Sequence, residues 1–581
     1  MPTMIKFSIP IKCAGAVFAG LCLAAFLTSA PAEAGQSNTE LGNTLSGNYL
    51  AGRHAQARRD LKAAADFLGA ALNKSPSSAK LVRRTFILMI VEGRIKEAEA
   101  LARKLIEIEP DEPIALLTLA AIDIKQARYK EADARLKKIP AKGLSGFVAP
   151  ALRAWSLTGQ KKHRDALKIL KAPTDQKATR ALHTMHAALI SELLGRNEDA
   201  EKFYLGVQGD QEGVSLRVTQ LLGQLFERTG KKDKARALYE RYLKSNPGSQ
   251  LLNGALKRLK SGGGPEMKSF SISDGAAEVL FGIASSLRQQ NAQETALMLS
   301  RLALYLKPSF PVMQILLGDI LETANNLEAA LKLYSSIRRT SAFSWPARLR
   351  VASILGRLKR TEEAIVYLTE MAGDQADDPG PLISLGDILR GKERFTEAVE
   401  AYDQAFGRIK ALEPRHWTLL YARGIALERS KQWPRAEADF LSALKFKPDQ
   451  PYVLNYLGYT WIDKGLYLDR AQAMIGKAAN LRPNDGYVID SLGWGHFMLG
   501  NFKKAVVELE RAVELRPQDP IINSHLGDAY WRVGRKREAT FQWNRSLSLD
   551  PEEDLISEIN RKLKSGLGDI TETAKKTPND G

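Results

Sequence analysis

Cysteine is nearly missing from this chain: of 581 residues only two are Cys, and both, Cys13 and Cys22, lie in the first 22. Everything beyond that segment lacks a thiol, so disulfides, thiol catalysis and Cys-based zinc sites are excluded there. Long apolar runs are equally scarce. One stretch, Ala14 to Leu27, follows Lys6 and Lys12 and ends in the small residues Ala32-Glu33-Ala34. It is too short to span a membrane comfortably and predicts a cleaved secretory signal over residues 1–34, with a retained N-terminal anchor as the alternative. Leu21 and Lys12 precede the two cysteines, where lipid attachment would need a small residue. The expectation is a soluble periplasmic protein, at most peripherally membrane-associated, with no integral span in its mature form.

What is present is a folding composition and a period. The chain is 44% hydrophobic and 26% charged, which excludes disorder throughout. Near the C-terminus, SLGWGHFMLGNFKKAVVELERAVELRP and HLGDAYWRVGRKREATFQWNRSLSLDP align with Gly493 and Gly527 34 residues apart. Stepping back by that period, with a few insertions, gives fourteen units whose eighth position is Gly, Ala or once Phe86, and whose twentieth is Ala. Those alanines are Ala64, Ala98, Ala132, Ala166, Ala200, Ala235, Ala296, Ala330, Ala364, Ala398, Ala436, Ala471, Ala505 and Ala539, with one residue inserted in the twelfth unit. A small residue is required where two helices approach closely. Prolines such as Pro448, Pro483 and Pro517 stop each second helix, since proline has no N–H to donate. The predicted unit is a helix, a short turn and a second helix, and stacked units share a one-dimensional core.

From about Leu45 to Glu553 the chain resembles a tetratricopeptide-repeat (TPR) solenoid. That resemblance implies an all-α fold, a right-handed superhelix of helix-turn-helix repeats. The spacing divides it into an N-terminal arm of six repeats (45–249), an extra helix with a Gly/Ser linker (250–276), a C-terminal arm of eight repeats (277–553), a capping helix (554–565) and a disordered tail (566–581). LNYLGYTWIDKG, LRPNDGYVIDSLGWGHFMLG and INSHLGDAYWRVGRKREATFQW look like a periplasmic TPR family of the alphaproteobacterial branch. That family is similar to the lipoprotein binding partner of the carboxy-terminal processing protease. The resemblance implies an envelope adaptor holding a protease and its substrates, and the missing lipid-attachment cysteine departs from it.

No constellation for catalysis or a cofactor emerges. His183 and His186 share a helix face without a third metal ligand, and SGGGP at 261–265 lacks the Lys-Ser/Thr ending of a phosphate loop. The expectation is a non-enzyme with no metal and no cofactor.

Binding residues are sought on the exposed positions of each first helix, which line the concave side of such a stack. In the last three repeats these give Tyr452, Asn455, Tyr456, Tyr459, Tyr487, Asp490, Ser491, Trp494, His525, Asp528, Trp531 and Arg532. Aromatics beside polar groups are typical anchors for a polypeptide partner. Charge is unevenly divided: residues 35–270 carry +16 and residues 271–581 carry +1. Lys80, Arg83 and Arg84 mark a basic surface in the second repeat. For an exported protein its acidic partners would be anionic lipid, anionic glycan or acidic protein, and nucleic acid is not expected. The leading expectation is a scaffold for an envelope protease or assembly factor, and the alternative is a cell-wall or anionic-glycan-binding protein.

Overall fold

A computed structural model of the protein describes residues 41–140, 143–171, 177–209, 215–246, 249–264 and 270–568. The segment 1–34, expected from sequence to be a signal, residues 265–269 of the expected linker and residues 569–581 of the expected tail lie outside them. The described residues form thirty α-helices and no strand. The chain divides into two compact units, one ending at Arg360 and the other beginning at Thr361.

The first unit holds the pairs α1/α2 (Leu45–Ala57, Leu61–Lys74), α3/α4 (Ala79–Glu92, Ile95–Ile108), α5/α6 (Pro113–Lys125, Tyr129–Lys138), α7/α8 (Gly143–Gly159, His163–Leu170), α9/α10 (Lys177–Leu193, Asn197–Gly209) and α11/α12 (Leu216–Arg228, Lys232–Ser245). A short α13 (Asn253–Lys260) follows, then α14/α15 (Ile272–Gln289, Gln293–Leu306), α16/α17 (Pro311–Thr323, Leu327–Ser335) and α18 (Ser344–Arg357). The second unit starts with α19 (Thr361–Asp374) and continues with α20/α21 (Gly380–Gly391, Phe395–Gly407), α22/α23 (Trp417–Arg429, Trp433–Phe446) and α24/α25 (Pro451–Asp463, Leu468–Leu481). It ends with α26/α27 (Gly486–Met498, Phe502–Leu515), α28/α29 (Pro520–Arg532, Lys536–Leu547) and a final α30 (Glu553–Ser565).

Local chemistry sets these boundaries. Pro113, Pro311, Pro451 and Pro520 open first helices, where the missing N–H costs nothing, and Asp485 and Asp519 cap α26 and α28 through their carboxylates. The turn between the two helices of a repeat contains a left-handed residue, which is Gly at 93, 195, 230, 500 and 534, Asn at 291 and 325, and Arg59, Ala127, Lys161, Lys359, Glu393 or Lys431 at others. The inserted residue of the twelfth repeat lengthens the turn before α25, where Gly465 and Tyr467 both have positive φ.

All fourteen repeat alanines have zero exposed surface. The eighth-position glycines face mainly the side chain four residues after that alanine. A Cβ on Gly424 would meet Phe440 at 2.7 Å, one on Gly493 Leu509 at 2.6 Å, and one on Gly527 Trp543 at 2.5 Å. The glycine therefore admits a large side chain from the second helix, which explains how Phe440, Leu509 and Trp543 are fully buried.

Two sequence-drawn boundaries are corrected by the packing. The stretch 250–276 was expected to separate two arms, but Ser271 and Asp274 form a capping box that starts α14 at Ile272. Beyond it, α14 packs on α5, α7 and α9, and α15 packs on α3 and α5, so the first unit continues to Arg360. Gly275 lets α14 lie directly on the Trp155 indole, whose Nε1–H donates to His186 Nδ1 at 3.1 Å. Glu278, fully buried, accepts from Arg217 Nε at 3.0 Å, with Lys307 Nζ 3.8 Å away. Arg301 Nε donates to the Val91 carbonyl at 2.9 Å, and Lys125 Nζ to that of Leu306 at 2.7 Å. The second correction concerns the tail: Gly566 and Leu567 pack on the last repeat, and the Arg532 guanidinium donates to the Gly568 carbonyl at 2.6 Å.

Candidate protein-binding face

In the first unit, the face made by the first helices α3, α5, α7 and α9 is covered by the chain's own α14 and α15. The basic site expected there is also reduced. Arg83 is committed to Glu109 and, at 3.3 Å, to Glu112, while Arg84 donates to Gln56 Oε1 at 2.8 Å. Lys80 is the exposed one of the three and forms no ion pair among the described residues. His183 and His186 are buried among α7, α9 and α14, where burial lowers both imidazoles, His186 to about 3. No group of His, Cys, Asp or Glu among the described residues is placed to hold a metal.

The second unit has no such cover among its own described helices. Here α20 packs on α22, α24 on α26 and α26 on α28, and Tyr421 of α22 meets Tyr456 of α24 with ring centroids 6.3 Å apart. The expected binding residues fall into three layers. Tyr452 and Tyr487 are exposed on an outer edge with Ile521, and Met498 is exposed at the far end of α26. Asn455, Tyr456, Tyr459, Trp494 and His525 are partly buried. Asp490, Ser491 and Asp528 are buried.

The partly buried layer is internally bonded. Tyr456 donates its hydroxyl to Glu428 at 3.0 Å and packs against Phe440 and Tyr421, and burial with the nearby Glu428 charge raises its phenol far above the usual range. Asn455 Nδ2 donates to Ser491 Oγ at 3.1 Å. Trp494 stacks on Phe497 at 4.7 Å and on His525 at 4.0 Å between ring centroids. His525 Nδ1 lies 2.9 Å from Asp490. Burial pulls that imidazole down, but the Asp490 carboxylate outweighs it, and the net shift is upward.

Asp528 does not belong to an accessible face. It sits beneath α30, where Lys562 Nζ reaches it at 2.7 Å and Trp543 Nε1 donates to it at 2.8 Å. Burial raises its carboxyl despite the ammonium beside it. Trp531 is likewise engaged by Trp543 at 5.3 Å, by the Lys536 ammonium at 5.0 Å and by Gly566, and Arg532 by Gly568. The sequence hid these because α30 and the glycine turn after it occupy the position a fifteenth first helix would take.

Comparison with known proteins bears on the repeat itself. Tetratricopeptide-repeat models match residues 89–145, 220–249, 383–451 and 496–534, in both units. The chain is an all-α TPR solenoid. Among curated proteins, it is similar to the TPR repeat-containing protein PA4667 of Pseudomonas aeruginosa, with 27% identity over 190 residues, which is 32% of this chain and 31% of that protein. It is also similar to the general transcriptional corepressor ssn6 of Schizosaccharomyces pombe, with 27% identity over 23% of this chain and 12% of that protein. The matches thus span about a third or less of the length of these relatives. Solved structures similar to this TPR solenoid include Cut9–Hcn1 of the APC/C, at 15% identity and TM-score 0.38 over 91% of this chain and all of that one. Yeast Tom70 matches at 13% identity and TM-score 0.29, over 92% and 97% of the two chains. No described helix of the solenoid is long and apolar enough to cross a membrane.

Proposed function

We propose that this TPR solenoid is a non-catalytic scaffold of the bacterial periplasm that holds a polypeptide segment on the first-helix face of its second unit. The partner is an envelope protease with its substrates, or an assembly factor. One observation carries the reading: the first unit's equivalent face is filled by α14 and α15, whereas α24, α26 and α28 leave Tyr452, Tyr487, Ile521 and Met498 exposed, at least one per repeat. Apolar side chains recurring along one edge above a polar, hydrogen-bonded floor fit a protein partner, since hot spots cluster on aromatic residues. The glycan alternative requires open ring faces for sugars to stack on, and Trp494 and Trp531 already have ring or cation neighbours.

Photo-crosslinking residues placed at Tyr452, Tyr487 and Ile521 in intact cells test this reading, with Phe541 on α29 as the control position. Envelope proteins captured from the first three sites and absent from the fourth are expected, and the Tyr452→Ala/Tyr487→Ala double variant should lose competing partner without a change in melting temperature. Identical captures from all four positions would refute the assignment.

A further inference from the structure

The edge that carries Tyr452 and Tyr487 also carries a cation over each of those rings and over Trp417 one repeat earlier. In three successive repeats the residue before the proline that ends the second helix lies over the aromatic ring that opens the first helix of the same repeat. Lys447 Nζ stands 4.9 Å from the Trp417 ring, the Arg482 guanidinium 5.4 Å from Tyr452, and that of Arg516 4.9 Å from Tyr487. None of these three cations forms an ion pair among the described residues. The carboxylates nearest to the rungs are otherwise employed: Asp485 caps Tyr487 N at 3.2 Å and accepts from Tyr452, and Asp519 caps Ile521 N at 3.0 Å and Ile522 N at 3.1 Å. Floor carboxylates are matched as well, Asp490 by His525 and Glu428 by Tyr456.

The repeat does not impose this ladder. At the corresponding place in the first unit, the residue before Pro110 is Glu109, which pairs with Arg83, and those before Pro76 and Pro247 are Ser75 and Asn246; Lys307, before Pro308, does lie over Phe270 at 5.4 Å and Phe310 at 4.6 Å, but it is paired with Asp274 at 3.6 Å and Glu278 at 3.8 Å. Among the described residues, a cation at this place that lies over a ring and has no ion pair recurs in the three successive repeats of α22/α23, α24/α25 and α26/α27. The ring holds each cation in place, so little side-chain entropy is lost when an anion binds.

We infer that the ladder Lys447, Arg482 and Arg516 is the charge-reading edge of the second unit's face, and that its partner is an extended acidic polypeptide segment. Packed first helices are roughly 8–10 Å apart. An extended chain rises about 3.3 Å per residue, so a carboxylate at every third residue meets successive rungs. Anionic glycan is disfavoured because the cations already cover ring faces that sugars would need. The inference rests on the scaffold reading above.

The test uses the full chain and a fluorescent, photoactivatable Glu-Gly-Ser repeat peptide, with the Gln-Gly-Ser repeat as its neutral control. Wild type should bind the acidic peptide in a salt-sensitive way, with cross-links at the ends of α23, α25 and α27. The triple variant Lys447→Gln/Arg482→Gln/Arg516→Gln should bind it about tenfold more weakly, as expected from three exposed charge contacts. A control triple in the first unit, Lys74→Gln/Lys96→Gln/Lys130→Gln, removes the same charge and should leave those cross-links unchanged. Equal binding by wild type and the ladder variant, equal binding of the two peptides, or stronger binding of polygalacturonate at the same site would overturn the inference. If the ladder variant keeps its cellular cross-links through Tyr452 and Tyr487, the charge-reading edge fails while the scaffold reading stands.

Discussion

Gly527 provides a sharp test of the packing, because the helix and the core demand opposite things of it. In an exposed helix, Gly→Ala stabilises by about 0.4–1 kcal/mol, since alanine restricts the unfolded chain. A Cβ at 527 would lie 2.5 Å from Trp543 Cδ1 and 3.2 Å from the Ala539 carbonyl. Trp543 cannot retreat: it is fully buried, and its Nε1 is bonded to Asp528, which is itself bonded to Lys562. Overpacking of that kind costs about 1–3 kcal/mol, and here the disturbed Asp528–Lys562 pair adds to it. Gly527→Ala should therefore destabilise the second unit by about 2 kcal/mol net, lowering its melting temperature by roughly 4–8 °C for a unit of this size. Gly476 of α25 is the matched control, because a Cβ there meets nothing within 4 Å. Gly476→Ala should stabilise by up to about 1 kcal/mol. Urea denaturation followed by circular dichroism and tryptophan fluorescence compares the three proteins. A Gly527→Ala protein as stable as wild type, or a Gly476→Ala protein equally damaged, would show that the close contact with Trp543 does not govern this repeat.

The two units should respond to pH with opposite signs. His186 is held neutral, its value pushed down by burial to about 3 from an ordinary 6.5. The unfolded chain takes up the proton first, so stability of the first unit falls as pH drops below 6.5, by about 2–3 kcal/mol at pH 4.5. His186→Gln, which can still accept from Trp155, should flatten that slope in thermal melts. His525 shifts upward beside Asp490, so its contribution is full below pH 6.5 and is lost as pH rises through its folded value; His525→Gln should remove an alkaline loss of stability in the second unit and leave the acid limb of the first unchanged. Glu278→Gln should cost about 2–3 kcal/mol by leaving the partly buried Arg217 without the counter-charge of fully buried Glu278, and hydrogen exchange should then show faster opening of α14 and α15 before the rest of the first unit. Unchanged protection of α14 would mean that the ion pair does not hold it in place.

The sequence by itself determined the repeat. A 34-residue period, small residues at two fixed positions and prolines at the ends of second helices are local and recurrent, and each constrains only its own helix pair and the next. The structure accordingly buries all fourteen alanines completely. Which faces stay open depended on contacts between residues far apart in the chain. Nothing periodic announces that Gly275 lies on Trp155, that Glu278 meets Arg217 across 61 positions, or that α14 and α15 cover the first unit's inner helices. The capping box Ser271-x-x-Asp274 was the one local signal that the expected linker ends in a helix. In the candidate site, residue types were legible but accessibility was not: Asp528 and Trp531 belong to the closure made by α30 and Gly566, and the cations of the rim emerge only when helix ends are brought over rings 30 residues earlier. A pattern in sequence fixes what a helix pair can bury, whereas tertiary packing decides what is left uncovered, because that depends on which distant segment reaches each face first.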